Sequence, residues 1–224
     1  GEIYLSAVND RYTVDTNGGK AMISNVAIYP SKKIDYFIET INPKVIEMFK
    51  SIGIKNGTFF MQALIDDGQI YFHEMGLRLS GGLLYKIFKS TCGFSDLEMM
   101  IRCALGGPMC TEDEIEKIDP YLNGKFAAIL CVPLKAGTIG SIKGLNKILQ
   151  SKNIVDFIQY YQIGEEITED KIGTLLQHFC RFKFIANSKN EIVDMIDKIL
   201  NLLTIEDTEG NNMIYAKFDT KRLF

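Results

Sequence analysis

Apolar and polar residues alternate through EIYLSAV (2–8) and again through AMISNVAIYP (21–30), the period of two that predicts β-strands. Between them DTNGGK (15–20) is polar and rich in glycine, the composition of a mobile loop. After Pro30 the period changes. Apolar residues fall at 34, 37, 38 and 41, on one face of a helix. Asn42-Pro43 then reads as an N-cap followed by proline at the first helical position. The second helix, PKVIEMFKSI, is expected to stop at Gly53.

The stretch GTFFMQALIDDGQIYFHEM (57–75) returns to alternation and predicts a β-hairpin. Asp66-Asp67-Gly68 suits a three-residue loop with Gly68 left-handed, pairing Ile65 with Gln69 and Gln62 with Phe72. In that register Gln62 and Glu74 are diagonal neighbours on one face, roughly 7–8 Å apart at the backbone, and their oxygens could share a cation. His73 points to the opposite face and is read as a packing residue, as is His178 beside Phe179. Met61, Met75, Met99 and Met100 are read as core. Helices are predicted near 82–91 and 95–105, with capping-box patterns at Ser95–Glu98 and Thr111–Glu114. Glycine, proline and acidic residues cluster at 107–123, dividing the chain into 1–110, a connecting segment 111–123, and 124–224. The last part predicts strands in KFAAILCVPL, KAGTIGSIKG, 154–162, RFKFIANS and NNMIYAKF, with a short helix near 144–150 and an amphipathic helix in NEIVDMIDKILNLL. The fold class is α+β.

Composition narrows the function. A net charge of −3 supplies no basic field for a nucleic-acid partner. No apolar run approaches the roughly 20 residues that span a bilayer, and GEIYL lacks the order of a signal peptide. The five cysteines (92, 103, 110, 131, 180) have no C-x-x-C spacing, and only His73 and His178 could join them, so free thiols in a cytoplasmic protein are expected rather than zinc. The chain opens without Met at Gly1-Glu2, a hairpin-turn pair, as expected for a fragment of a longer protein.

Candidate chemistry concentrates in FHEMGLRLSGG (72–82). A carboxylate ends an apolar strand, an arginine follows four residues later, and Gly81-Gly82 precede a helix. Burying Glu74 or Arg78 without partners is unfavourable, and a bound charged ligand would offset it; the plainer reading is an exposed ion pair contributing about 0–1 kcal/mol. Arg11 and Lys20, beside the glycine-rich loop, could assist an anion or simply be solvated.

The succession strand, turn, strand, Glu-x-x-x-Arg, Gly-Gly, helix resembles the C-terminal half of the ATP-grasp superfamily. The resemblance starts at Gly1-Glu2-Ile3 and continues through AIYPS (27–31) and IKNGTFFMQALIDDGQIYFHEMGLRLSGG (54–82). In 124–224 the segments AGTIGSIKGL, YYQIGEEIT and RFKFIANSKNEIVDMI are similar to the C-terminal lobe of the L-amino-acid-ligase-like and biotin-carboxylase-like branches. It implies an ATP-grasp C-terminal subdomain, an antiparallel sheet with flanking helices, followed by a smaller α+β lobe. The implied activity joins a small-molecule carboxylate to an amine or ammonia through an acylphosphate, using ATP and Mg²⁺. By the same resemblance Glu74 is a magnesium ligand and Arg78 contacts the transferred phosphoryl. Ser80, Gly81 and Gly82 meet the anionic substrate. Gln62 stands where the family usually has an acidic ligand, and Gly76 where it has Asn. The adenine hinge and the phosphate-binding lysines belong to family segments upstream of Gly1. Two alternatives accompany this reading: a non-catalytic ATP-grasp-like module with a degenerate metal site, and a carbamoyl-phosphate-synthase-like enzyme using bicarbonate. A homodimer is compatible with it.

Overall fold

Alternating apolar residues need a partner strand before they form a sheet, and that requirement organises the chain. The computed structural model describes residues 2–14 and 23–224. The expected loop at 15–20, Lys20, Gly1 and the first two residues of the 21–30 strand lie outside the described residues. In chain order the elements begin with β1 (Asp10–Val14), β2 (Ile23–Tyr29) and α1 (Ile34–Tyr36), which runs through a π-helical turn (Phe37–Ile41) into α2 (Asn42–Ser51). They continue with β3 (Phe59–Asp66), β4 (Gln69–Leu77), α3 (Tyr85–Thr91), α4 (Asp96–Ala104) and α5 (Glu112–Ile115). The remainder is β5 (Phe126–Pro133), β6 (Gly137–Lys143), α6 (Leu145–Leu149), β7 (Ile154–Gln159), β8 (Glu166–Ile167), β9 (His178–Ala186), α7 (Lys189–Leu202) and β10 (Thr204–Asp207). Among the described residues every strand pairing is antiparallel, in sheets ordered β1-β2-β5-β9-β7, β10-β6-β8 and β3-β4. The α+β class with antiparallel sheets thus holds. Among the described residues no helix is long and apolar enough to cross a membrane.

The chain forms two compact units. One unites 8–32 with 124–224. Its five-stranded sheet turns Val26, Ile28, Leu130, Phe182 and Phe184 toward Ile192, Ile196 and Ile199 of α7, and all are almost fully buried. Burying each such side chain contributes about 1.5–3 kcal/mol. Ser188 caps α7, its Oγ accepting from Glu191 N at 3.2 Å. Residues 8–32, read from the sequence as part of the first domain, belong here because β2 pairs with β5, Val26 opposite Leu130. NNMIYAKF forms only isolated bridges, Leu134 to Ile214 and Glu206 to Asn212. Met213, Ile214 and Phe218 are buried there, so their spacing records core packing rather than a strand.

The other unit comprises 2–7 and 33–123. The predicted strand at 2–8 is irregular backbone. Asn42 is not an N-cap: it is helical, and its N–H donates to Phe37 O five residues back. Pro43 has no N–H to offer and its ring would crowd the carbonyl at Glu39, so the helix widens by one residue instead of ending. Ile87, Phe88, Phe94, Met99 and Leu122 form the buried interior, with Phe88 and Phe94 rings stacked at 4.8 Å. Of the methionines read as core, Met99 is buried whereas Met75 is 47 % exposed on the hairpin.

Thr111 and Glu114 make the complete capping box, and Arg102 adds a two-pronged ion pair to Glu114 at 2.6 and 2.7 Å. The Arg102 guanidinium, helped by the Thr111 N–H and hydroxyl, holds the Glu114 carboxyl down to about 2 from the usual 4.5. A carboxyl depressed in the folded state stabilises above its unfolded pKa and loses that contribution as pH falls. Glu114→Gln is therefore expected to lower stability fully at pH 7, with the gap to the parent closing from about 4.5 toward about 2. Urea unfolding at stepped pH measures this.

Candidate active-site hairpin

Asp67 and Gly68 both adopt positive φ, 45° and 75°, so they make a two-residue turn between Asp66 and Gln69 in place of the predicted three-residue loop. The shorter loop would put Gln62 opposite His73. A bulge between Gln62 and Ala63 moves it on by one, and Gln62 pairs directly with Glu74. The two side chains are thus closer than the diagonal expectation, at the 4.5–5.5 Å Cβ spacing typical of facing residues. His73, the extra residue in the bulge, is exposed.

Phe60 pairs with Gly76, and the close fit of ring to backbone explains the glycine. A Cβ at 76 would fall 2.2 Å from Phe60 Cε1. The Arg78 guanidinium lies 4.4 Å from the same ring, donates to Leu79 O at 3.0 Å, and stands 3.9 Å from Glu74. Stacking on an aromatic face orients the planar fork. Phe60 is the member of this group that the residue pattern did not single out; its signal was an aromatic facing a strand glycine. Gly76→Asn is expected to displace the ring and destabilise by about 1–3 kcal/mol. Phe60→Ala in the same chain should remove most of that penalty, as thermal unfolding of the single and double variants would show.

Glu74 and Arg78 side chains are 44 % and 59 % exposed, so their long ion pair contributes little to the fold and leaves both open to a ligand. Ser80, Gly81 and Gly82 form the turn into α3, where Leu83 N donates to Ser80 O at 3.0 Å. Among the described residues no group of three or more His, Cys, Asp or Glu could hold a metal ion. Glu74 and Gln62 supply one carboxylate and one amide oxygen. That set fits a Mg²⁺ ion completed by nucleotide phosphates and water, not one held by protein ligands alone.

Neither protein-family models nor curated proteins match the sequence. Solved structures do, and they are ATP-grasp enzymes, whose fold a mixed α/β chain with antiparallel sheets fits. The chain is similar to the L-amino acid ligase of Bacillus licheniformis, with a TM-score of 0.75 and 20 % identity over 93 % of this chain and 51 % of that one. It is also similar to phosphoribosylglycinamide synthetase of Anaerococcus prevotii, at 0.71 and 15 % identity over 89 % and 49 %. A third is the biotin carboxylase domain of Hydrogenobacter thermophilus 2-oxoglutarate carboxylase, a dimer in complex with MgADP and bicarbonate, at 0.60 and 18 % identity over 85 % and 40 %. The chain spans about half the length of the first two. At these identities the likeness is one of fold.

Proposed function

We propose that this chain is the C-terminal portion of an ATP-dependent ligase that joins a small-molecule carboxylate to an amine or ammonia through an acylphosphate. The observation that carries the reading is the facing pair Gln62–Glu74 with Arg78 stacked one turn of strand beyond it. The substrate carboxylate attacks the γ-phosphorus of ATP, ADP leaves, and the amine then attacks the acyl carbon and expels phosphate. Arg78 presents its fork to the transferred phosphoryl, where positive charge meets developing negative charge. Glu74 and Gln62 would hold a Mg²⁺ ion, which would supply charge neutralisation to the nucleotide phosphates. Ser80, Gly81 and Gly82 offer backbone N–H groups to the anionic substrate. The unit of 2–7 and 33–123 carries the candidate-site hairpin of the ATP-grasp domain and the unit of 8–32 and 124–224 is its second lobe, in a cytoplasmic protein compatible with a homodimer. Magnesium-dependent ATP hydrolysis, stimulated by a carboxylate and an amine together, tests the reading in the full-length protein.

A second reading has support in one observation, the single carboxylate at the metal position. It makes the chain a non-catalytic ATP-grasp-like module. Full-length protein that binds no MgATP would favour it.

A further inference from the structure

Sulfur is unevenly distributed along the chain. Of its nine methionines and five cysteines, Met99, Met100, Cys103, Met109 and Cys110 all fall within residues 99–110, where α4 ends and the chain turns into α5. Helical spacing puts residues three and four apart on one face, so Met99, Arg102 and Cys103 share a side of α4. That side faces α5, because the Arg102 guanidinium makes its two-pronged ion pair with Glu114 there.

The turn brings a third sulfur to the same side. Gly106 has a φ of 85°, its N–H donates to Cys103 O at 3.0 Å, and Gly107 N donates to Arg102 O at 3.0 Å. This left-handed cap reverses the chain at the end of α4. Thr111 is fixed next by its capping box, so Cys110 is held between two anchored turns. The Cys110 S–H donates to Met99 Sδ at 3.9 Å. Burial pushes the Cys110 thiol up, Glu114 adds to this, Arg102 opposes it, and Cys103 is near enough to push it up as well. Both thiols are free and half-buried, and Cys103 has no hydrogen-bond partner among the described residues.

The separation of 3.9 Å is a ligand spacing. A closed-shell ion forms bonds to sulfur of about 2.3 Å, and three such ligands in one plane stand about 4.0 Å apart. Zinc sites draw four ligands from Cys, His and carboxylates, not from Met, whereas thiolate and thioether donors together suit Cu(I). Arg102 stands beside the thiols to offset the charge of two thiolates on a monovalent ion. The hydrogen between Cys110 and Met99 occupies the place a metal would take.

We propose that Met99, Cys103 and Cys110 form a three-sulfur site for a soft monovalent ion, Cu(I). The ion enters, both S–H bonds ionise, and the two protons pass to solvent; no electron is transferred. The site lies within the 2–7 and 33–123 unit and does not rest on the ligase reading. Anaerobic titration of the reduced 224-residue chain with Cu(I), in competition with the chelator bicinchoninate, tests it. One tight equivalent is expected, and X-ray absorption of that complex should show three sulfurs at about 2.3 Å. Cys103→Ser and Cys110→Ser should each weaken binding by more than the roughly hundredfold that losing an outer-shell group costs. Met99→Leu, close in volume, should leave two sulfurs in the absorption spectrum. Cys103 is half-buried near the end of α4, so its variant is expected to fold and remains informative should the Cys110 variant not. No tight equivalent overturns the proposal, as does an affinity unchanged in Cys103→Ser, which would hand the ion to other thiols. A count of three sulfurs persisting in Met99→Leu also overturns it, because the thioether would then not be a ligand. Nucleotide and magnesium are absent from the titration, so a negative result leaves the ligase reading untouched.

Discussion

Exchanging Glu74 for Gln in the full-length protein is expected to lower kcat for magnesium-dependent ATP turnover about a thousandfold, roughly 4 kcal/mol of transition-state stabilisation. The substitution keeps size and one oxygen but removes the only negative charge in the facing pair, leaving two neutral amides opposite each other. Tm should move by a degree or two at most, since the Glu74–Arg78 contact is long and about half exposed. Arg78→Lys is expected to fall by a similar factor, because an ammonium neither stacks on Phe60 in the same way nor presents two parallel donors. The measurement is kcat at saturating ATP across a magnesium titration, with thermal unfolding alongside. A non-catalytic module would show no change in either variant, and that result would remove the ligase reading.

Gly144→Ala should be the most damaging single-methyl addition in the 8–32 and 124–224 unit, at about 2–5 kcal/mol, or roughly 10 °C in Tm. Gly144 precedes α6 with φ of 83°, a left-handed conformation unfavourable for alanine. An added Cβ would also stand 2.0 Å from Leu202 O, at the end of α7. That obstacle is backbone, so relief requires moving the helix end on which Leu203 and the core behind it depend. Gly164→Ala separates the two causes. Its φ is 90° but nothing lies within 4 Å of the added methyl, so only the conformational part, about 1–2 kcal/mol, should appear. Equal losses in the two variants would show that the Leu202 contact yields easily.

The order of elements was legible wherever a local rule sufficed. Helix α7 declares itself by its apolar stripe and Ser188 cap, and Ser95 and Thr111 announce α4 and α5, because capping bonds span only three residues. The hairpin declares itself through alternation around Asp67-Gly68. Its loop length was misread because Asp67 tolerates the left-handed conformation, which let a two-residue turn form. The candidate site followed the same division. Glu74, Arg78 and Gln62 were visible as residue types at fixed spacing, and the resemblance supplied their proposed roles. Their geometry was not visible, since the bulge that sets Gln62 against Glu74 and the Phe60 ring that fills the space over Gly76 are facts about two strands together.

By itself, then, the sequence determined the α+β class, the positions of the caps and the candidate-site residue types along one hairpin, all products of interactions within a few residues. Tertiary structure alone decided that 8–32 joins the sheet of 124–224, that 2–8 and 211–218 form no strands, and that Arg11, Arg181 and Lys183 share one sheet face with Cys131. The physical reason is common to these cases. An alternating segment states which side chains want burial, but only a partner strand, here more than a hundred residues away for Val26 and Leu130, selects where it pairs and which charges are brought together.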